Sequence, residues 1–346
     1  MTKLMSRRLL VPWVAAALGC GSVAAKHTDG GTGGSNGSGG TVGTADAGQP
    51  DVATTEVQAD TGGDANRSDV PGDTGPTAAC NPTSPFGAPA LVPGLNSSSR
   101  EDGLSFTGDL TIAFFSSFRG GTGAVDHIYT AARSAPDQTF GTPILVTSVM
   151  GASGLDFAPR ITPDGLRLYF ASSRSGASHI YLATRTSLVT DFTASAMVAV
   201  VNSAAADYDE YITTDEQTMV FASTRTGGLG GPDLYVSQRT AGSFGAPTPL
   251  TEVSSTTAEF LPALSDDRLT IYFGSDRANV AAKGGTEIWV ARRATATTPF
   301  AAPQLVAELN TALEDFPVWL SPDSCTLYFS SGPAAAMDLF VATRGH

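Results

Sequence analysis

Acidic residues recur at regular spacing through residues 101–346 of this chain. Five carboxylates each open a short apolar segment: Glu101, Asp156, Asp207, Glu259 and Asp315. An arginine follows 18 residues behind each of the first four: Arg119, Arg174, Arg225 and Arg277. Carboxylates gathered around one channel mouth can bind a cation, an N-terminal amine or a basic peptide. Because carboxylates and arginines also form strong ion pairs with each other, the alternative is that both columns are structural.

Three features are unique to single copies of this pattern. Pro333 stands where a fifth arginine is expected, so Asp315 lacks its repeat partner and becomes the carboxylate most available to a ligand. The third copy carries Asp209 and Glu210, and the fifth carries Trp319. Carboxylates beside an aromatic ring suggest a sugar site, with Asp209 and Trp319 as candidate binding residues. Since neighbouring residues of a strand point to opposite faces, Asp209 and Glu210 are not expected to act as a facing acid and base.

The acidic residues belong to a repeat that occurs five times. Each copy reads acid, aromatic residue, apolar strand, a turn such as Thr-Pro-Asp, a strand with Tyr-Phe-x-Ser-x-Arg, and a strand with Ile-Tyr; residues 156–183 are the clearest copy. Successive copies are about 50 to 56 residues apart, the period of a four-stranded propeller blade. The repeat is marked by one aromatic residue in each second strand: Phe115, Phe170, Phe221, Phe273 and Phe329. The sequence therefore predicts an all-β, five-bladed β-propeller of four-stranded blades.

The fourth strand of the last blade is missing from the C-terminus. Its signature, Phe-Gly-x-Pro or a close variant, begins at Phe140, Phe244 and Phe300, but the fifth copy stops at Arg344. The same signature occurs at residues 86–92. We therefore expect residues 86–95 to supply the fourth strand of blade five, because this pairing removes an open sheet edge. The propeller domain is then 81–346.

Two further patterns bear on this closure. Cys80 and Cys325 fall on the same end of the last blade, and we predict a disulfide between them, the alternative being two free thiols. A third column of arginines ends the third strand of each blade, and we interpret it as a solvated blade edge: Arg133, Arg185, Arg239, Arg293 and Arg344.

The N-terminus reads as a targeting segment. Three basic residues precede an apolar core of about ten residues, too short to span a bilayer. The core ends Ala17-Leu18-Gly19-Cys20, which resembles a bacterial lipoprotein signal that is cut before the lipidated cysteine; an ordinary secretory signal is the alternative. We expect 1–19 to be the signal peptide and 20–80 to be the anchor cysteine with a disordered tether rich in Gly, Ser, Thr and Asp, because residues 21–79 contain no Phe, Trp or Tyr.

The turn signature (Thr162-Pro163-Asp164-Gly165) together with the Tyr-Phe-x-Ser-x-Arg strand resembles the TolB-type, WD-like propeller repeat. The resemblance covers about residues 81–346. It implies a propeller that binds other envelope proteins and has no catalytic machinery. This chain departs from the familiar relative, which pairs six blades with a separate α/β domain, because here we count five blades and a tether.

Charge and motif content exclude several kinds of partner. The net charge is −13, so phosphate backbones are repelled and nucleic acid is not expected as a partner. Anionic lipid is repelled for the same reason, which leaves the lipid anchor as the route to a membrane. Since the sequence has no zinc-ligand spacing, phosphate loop or Gly-x-Ser-x-Gly motif, we expect no cofactor and no metal.

These observations lead to one expected function and one alternative. We expect a monomeric, non-catalytic, lipid-anchored cell-envelope protein whose propeller is a protein–protein interaction module for an envelope protein or a cell-wall component. Gly21 rather than Asp follows Cys20, which favours the outer membrane. The alternative is a carbohydrate-binding or glycoside-hydrolysing five-bladed propeller.

Overall fold

The computed structural model describes residues 80–120, 125–279 and 281–345. These form five antiparallel sheets, with strands numbered in chain order. The first strand, β1 (Ala90–Leu91), belongs to the last blade. Blade one contains β2 (Glu101–Phe106), β3 (Ile112–Ser117), β4 (His127–Ala132) and β5 (Ile144–Leu145). Blade two contains β6 (Asp156–Ile161), β7 (Arg167–Ser175), β8 (Ala177–Thr184) and β9 (Ala196–Met197).

The remaining blades follow the same order. Blade three contains β10 (Asp207–Ile212), β11 (Thr218–Ser223), β12 (Asp233–Thr240) and β14 (Thr248–Pro249), with the short β13 (Ser243–Phe244) pairing on the end of β12. Blade four contains β15 (Glu259–Leu264), β16 (Thr270–Ser275), β17 (Glu287–Arg292) and β18 (Gln304–Leu305). Blade five contains β19 (Glu314–Leu320), β20 (Thr326–Gly332), β21 (Asp338–Thr343) and β1. A single 3₁₀ turn spans Thr147–Val149.

The first strands of the five blades form the inner wall of a ring. Strand β2 contacts β6, β6 contacts β10, β10 contacts β15, β15 contacts β19, and β19 returns to β2. The marker phenylalanines of the second strands, exemplified by Phe170 and Phe221, are fully buried in the core. The predicted five-bladed propeller is therefore confirmed. Within the described residues, no helix is long and apolar enough to cross a membrane.

The N-terminal segment completes blade five, as predicted. Strand β1 pairs antiparallel with β21, placing Ala90 opposite Val341 and Leu91 opposite Phe340. The Asn96 side chain then extends this edge, because its amide donates to the Leu339 carbonyl at 3.0 Å and its carbonyl accepts the Leu339 N–H at 2.7 Å. The first and last strands of the propeller thus share one sheet, and the edge that β21 would expose is covered.

The third column of arginines is not a solvated edge, which corrects the prediction made above. Each guanidinium lies over a phenylalanine just before the fourth strand of its own blade, at 3.9 to 4.6 Å from the ring centroid. Such stacking is favourable because the ring face is electron-rich. The five pairs are Arg133–Phe140, Arg185–Phe192, Arg239–Phe244, Arg293–Phe300 and Arg344–Phe86.

Blade five repeats this contact with a residue from the opposite end of the chain. Arg344 is the most buried of the five arginines, and its Nε donates to the Ser84 carbonyl at 2.7 Å. Phe86 is itself buried and packs edge-on against Tyr272 of blade four. The N-terminal segment therefore takes the place that a local fourth strand takes in the other blades.

A disulfide joins Cys80 to Cys325 in the structure, with 6.0 Å between their Cα atoms. Cys80 precedes β1 and Cys325 precedes β20, so the bond links the two segments that close the ring. In a chain that lacks residues 1–20, thiol titration after unfolding without reductant is expected to find no free thiol. Reduction is expected to lower the free energy of unfolding by about 2–5 kcal/mol. Two titratable thiols in the unreduced protein would contradict the pairing.

The predicted signal peptide (1–19), lipidation at Cys20 and most of the tether (20–80) lie outside the described residues, and they stay predictions.

Candidate functional site

The five acidic residues of the column stand where the inner strands begin, at the end of the ring that we call the acid end. None of them is more than 1% exposed. Four are paired with the arginine of their own blade: Glu101–Arg119, Asp156–Arg174, Asp207–Arg225 and Glu259–Arg277. The ion-pair alternative raised from the sequence therefore describes blades one to four.

These buried carboxylates also accept hydrogen bonds from the backbone and from serines. Each accepts a backbone N–H from the preceding loop, as in Ser97 to Glu101 and Ser255 to Glu259, both at 3.0 Å. In three blades a serine of the second strand also donates to the acid: Ser117, Ser223 and Ser275. A buried charge is tolerated when it is paired and hydrogen-bonded. The column thus ties the loop, the first strand and the second strand of each blade together.

Asp315 differs from the free carboxylate that we predicted. Within the described part of the chain it has no arginine partner, but it is fully buried and accepts the Thr311 N–H at 2.6 Å. Burial raises the pKa of its carboxyl above the ordinary value. It is therefore enclosed within blade five, and the expectation of an open ligand-binding carboxylate at Asp315 is corrected.

A bulge interrupts the inner strands just after the acidic residue. In blades one to four the third residue of the strand has a left-handed backbone: Gly103, Ala158, Asp209 and Leu261, with φ between 42° and 57°. This conformation strains residues that carry a Cβ, and the inner strands shift register at the same point. Strict alternation does not hold through a bulge. Asp209 and Glu210 are both buried at this bulge, as both faces of the inner strand are.

A buried charge cluster, which sequence reasoning missed, lies inside the ring near this bulge. Arg100 donates from Nε to Asp102 at 2.9 Å, and both side chains are buried. Asp126 and Asp209 interact electrostatically with this pair. One signal was available in the sequence, because Asp102 occupies the column position where the other four blades have Phe or Tyr.

Burial raises the pKa of two carboxyl groups in this cluster. Burial, with a further contribution from Asp102, raises the pKa of Asp209 to about 7. Burial also raises the pKa of Asp126 well above its ordinary value. For Asp126 and Asp209, removing the carboxylate charge from water costs more than the attraction of Arg100 returns. Burial therefore shifts both groups toward their protonated forms. Within the described residues, no three His, Cys, Asp or Glu side chains are placed to hold a metal ion.

Replacing Asp209 by asparagine is expected to stabilise the protein at alkaline pH. The folded state holds this proton where the unfolded chain has released it, so stability falls as pH rises from about 4 to 7. Asparagine removes that loss and tolerates a left-handed backbone. We expect a gain on the order of 2–4 kcal/mol at pH 8 and almost none at pH 4. Urea unfolding at both pH values tests this, with exposed Asp137→Asn as control; a gain independent of pH would contradict it.

A cavity opens at the other end of the ring, where the turns between first and second strands meet; we call this end the turn face. Its volume is about 250 Å³. Turns of blades one, two, three and five surround it together with the ends of their inner strands. It is lined by Phe106, Thr107, Gly108, Leu110, Arg160, Ile161, Thr162, Pro163, Tyr169, Ile212, Thr213, Thr214, Trp319 and Pro322. We call it the turn-face cavity; apolar and aromatic groups dominate its wall.

Two side chains cross the channel beside this cavity. The Arg160 guanidinium stacks on the Tyr211 ring at 3.6 Å. The Tyr211 hydroxyl donates to the Leu320 carbonyl of blade five at 3.3 Å. These contacts link blades two, three and five.

The seven residues proposed from the sequence do not form one site. Glu101, Asp156, Asp207, Glu259 and Asp315 lie at the acid end. Asp209 lies in the bulge of β10. Trp319 lines the turn-face cavity, where its ring packs edge-on against Phe106 at 5.1 Å and Tyr328 at 5.6 Å. Of the seven, Trp319 is the one among the described lining residues of the turn-face cavity.

Comparisons with known proteins add structural neighbours. No family model and no curated protein matches this chain. TolB from Acinetobacter baumannii is 17% identical, with a TM-score of 0.44, over 73% of this chain and 56% of that one. An endo-arabinase from Bacteroides thetaiotaomicron is 14% identical, with a TM-score of 0.49, over 74% and 98%. An α-L-arabinofuranosidase from Lactobacillus brevis is 13% identical, with a TM-score of 0.46, over 70% and 90%.

The chain thus spans little more than half of that TolB. Its own strand order and ring of inner-strand contacts show it to be a five-bladed β-propeller whose last blade is closed by an N-terminal strand.

Proposed function

We propose that this protein is a non-catalytic, lipid-anchored envelope protein whose propeller binds a protein partner at the turn-face cavity. The composition of the cavity wall carries the proposal. Phe106, Tyr169 and Trp319 supply aromatic surface, and Arg160 supplies a cation. A mostly apolar concave site with a few polar groups is the usual form of a recognition site.

The arrangement of the carboxylates favours binding over hydrolysis. Glycoside hydrolysis requires two carboxyl groups on either side of the scissile bond. No Asp or Glu is among the described residues that line the turn-face cavity. Asp209 and Glu210 are buried, and the acid column is occupied by arginines in four blades.

Site-specific photo-crosslinking in intact cells tests this function. A benzophenone side chain at exposed Thr214, on the rim of the cavity, is expected to crosslink an envelope protein. The matched control places the same group at exposed Thr226, beside Arg225 at the acid end. A product at position 226 but none at position 214 would contradict binding at the turn face.

The anchoring part of the proposal has its own test. With Cys20→Ala, we expect loss of the lipid label and release of the protein from the membrane fraction. Continued labelling with the same membrane recovery would reject Cys20 as the anchor.

The carbohydrate alternative is kept because Trp319 is an aromatic wall residue of the kind that stacks on sugars. Hydrolysis of a cell-wall or plant polysaccharide by the wild type, lost in Asp209→Asn, would favour that alternative over the proposed function.

A further inference from the structure

Arg160 is the one cationic side chain among the described lining residues of the turn-face cavity. It is 6% exposed. Its Nη2 donates to the Ile212 carbonyl at 3.3 Å, and its plane stacks on Tyr211. Among the described residues, its Nη1 is buried and has no hydrogen-bond partner. A buried donor without a partner is costly, so part of the hydrogen-bonding capacity of this arginine is unused in the structure.

The charge of Arg160 is not balanced by a neighbouring carboxylate. None of the ion pairs in the described part of the chain includes it. Glu210 is the acid that interacts with it electrostatically, but burial raises the pKa of Glu210 well above the ordinary range. Neither carboxyl oxygen of Glu210 accepts a hydrogen bond from another described residue. Arg160 therefore gives the cavity wall a positive charge.

The size and wall of the cavity limit what can pair with this charge. At about 250 Å³ it is smaller than a site for a drug-sized ligand, which starts near 300 Å³. It therefore accommodates about one residue. Phe106 and Trp319 offer apolar contact, and the Arg160 guanidinium offers a positive charge of the kind that pairs with a carboxylate. A phosphate dianion would leave much of its charge uncompensated beside a single arginine.

We propose that the turn-face cavity captures the C-terminal carboxylate of a partner protein, with Arg160 binding the carboxylate and the apolar wall receiving the terminal side chain. A terminal residue carries both groups on one Cα and needs only one chain segment to enter. An internal glutamate has chain on both sides, so two segments of the partner would have to pass the turns around the cavity. Backbone termini are a recurrent recognition element in protein complexes. The inference rests on the proposed function, since it names the part of the partner that is bound.

The direct test compares two fluorescent hexapeptides that end in leucine, one a free acid and one a C-terminal amide. The free acid is expected to bind the wild-type protein at least tenfold more tightly, because a hydrogen bond to a charged group is lost in the amide. An amidated peptide with an internal glutamate and free octanoate serve as further probes, and both are expected to bind at least tenfold more weakly than the free acid.

Substitutions assign the effect to the arginine. Arg160→Gln is expected to weaken free-acid binding about 10- to 100-fold and to remove the difference between acid and amide. Arg292→Gln removes an arginine outside the turn-face cavity and is expected to change neither value. Arg160→Lys keeps the charge without the guanidinium and should retain part of the preference. Circular dichroism checks the fold of each variant, and the wild-type comparison of acid with amide decides the question if a variant does not fold.

Several results would overturn the inference: equal binding of acid and amide, preference for the glutamate peptide or octanoate, no binding at millimolar peptide, or an intact preference in folded Arg160→Gln. Crosslinking at Thr214 separates the two proposals. A crosslink at Thr214 without a preference for the free acid would reject carboxylate capture but keep protein binding at the turn face. Absence of the crosslink would reject protein binding at the turn face itself.

Discussion

Replacing Asp207 by asparagine is expected to destabilise the propeller by about 3–5 kcal/mol, because removing one partner of a buried pair leaves an uncompensated charge. Asp207 is fully buried, and the paired Arg225 side chain is only 15% exposed. The same carboxylate also accepts hydrogen bonds from Ser203 and Ser223. The substitution therefore loosens the loop, the first strand and the second strand of blade three together.

Blade five offers the matched control for this prediction. Asp315 occupies the same column and is equally buried, but it has no arginine partner among the described residues, and burial raises the pKa of its carboxyl. Asparagine carries no charge, so at this site it leaves no arginine without its partner. We expect Asp315→Asn to cost about 1 kcal/mol or less, the range of an ordinary hydrogen bond. Urea unfolding of both variants at pH 7 measures the difference; equal losses would show that the arginine is not the cause.

Deleting residues 81–96 is expected to abolish cooperative unfolding of the remaining chain. The deletion removes Phe86, Val92 and Leu95, which are all buried, and exposes the edge of β21. At about 1.5–3 kcal/mol for each buried side chain, the loss approaches the total stability of an ordinary domain. Arg344 also loses the ring on which it stacks.

A chain that begins at Cys80 is the control for this deletion, because it keeps every strand of the ring. Both chains are heated under reducing conditions, so that the disulfide does not contribute to the difference. We expect a single sharp transition for the control and a broad, weak one for the deletion. If the deletion variant melts cooperatively at the same temperature as the control, residues 81–96 are not required for the ring to fold.

The architecture could be predicted because its motifs are short, lie close together in the sequence and recur in each repeat. The acid, the turn and the marker phenylalanine recur in register, so each copy supports the others. The terminal closure was readable because the signature at Phe86 repeats those at Phe140, Phe244 and Phe300. The disulfide prediction depended on that closure, which brings Cys80 beside Cys325.

The arginines at the ends of the third strands were misinterpreted for a related reason. In blades one to four each precedes the phenylalanine of its own blade by a few residues, but the sequence alone does not show that the connecting loop folds the ring back onto the guanidinium. In blade five the partner, Phe86, lies at the opposite end of the domain from Arg344. The signal available in the sequence was that the column of arginines and the column of phenylalanines recur together.

The interior of the ring could not be read from strand patterns. Arg100, Asp126 and Asp209 are far apart in the chain and come together only because the inner strands converge on one axis. The bulge also breaks the alternation on which side-chain directions were predicted. Arg160 was passed over because its position holds a different residue in every blade, and its unused Nη1 is visible only once Tyr211 and Ile212 are in place.

Native-state hydrogen exchange tests most directly the central claim that the two chain ends close one cooperative ring. The Val92 amide donates to the Leu339 carbonyl across the closure at 2.9 Å, and the amides of β11 lie in the middle of blade three. We predict that Val92 exchanges only by global unfolding, with an opening free energy within about 1 kcal/mol of the most protected β11 amides. Exchange of Val92 through a local opening several kcal/mol easier, while β11 stays protected, would contradict the account.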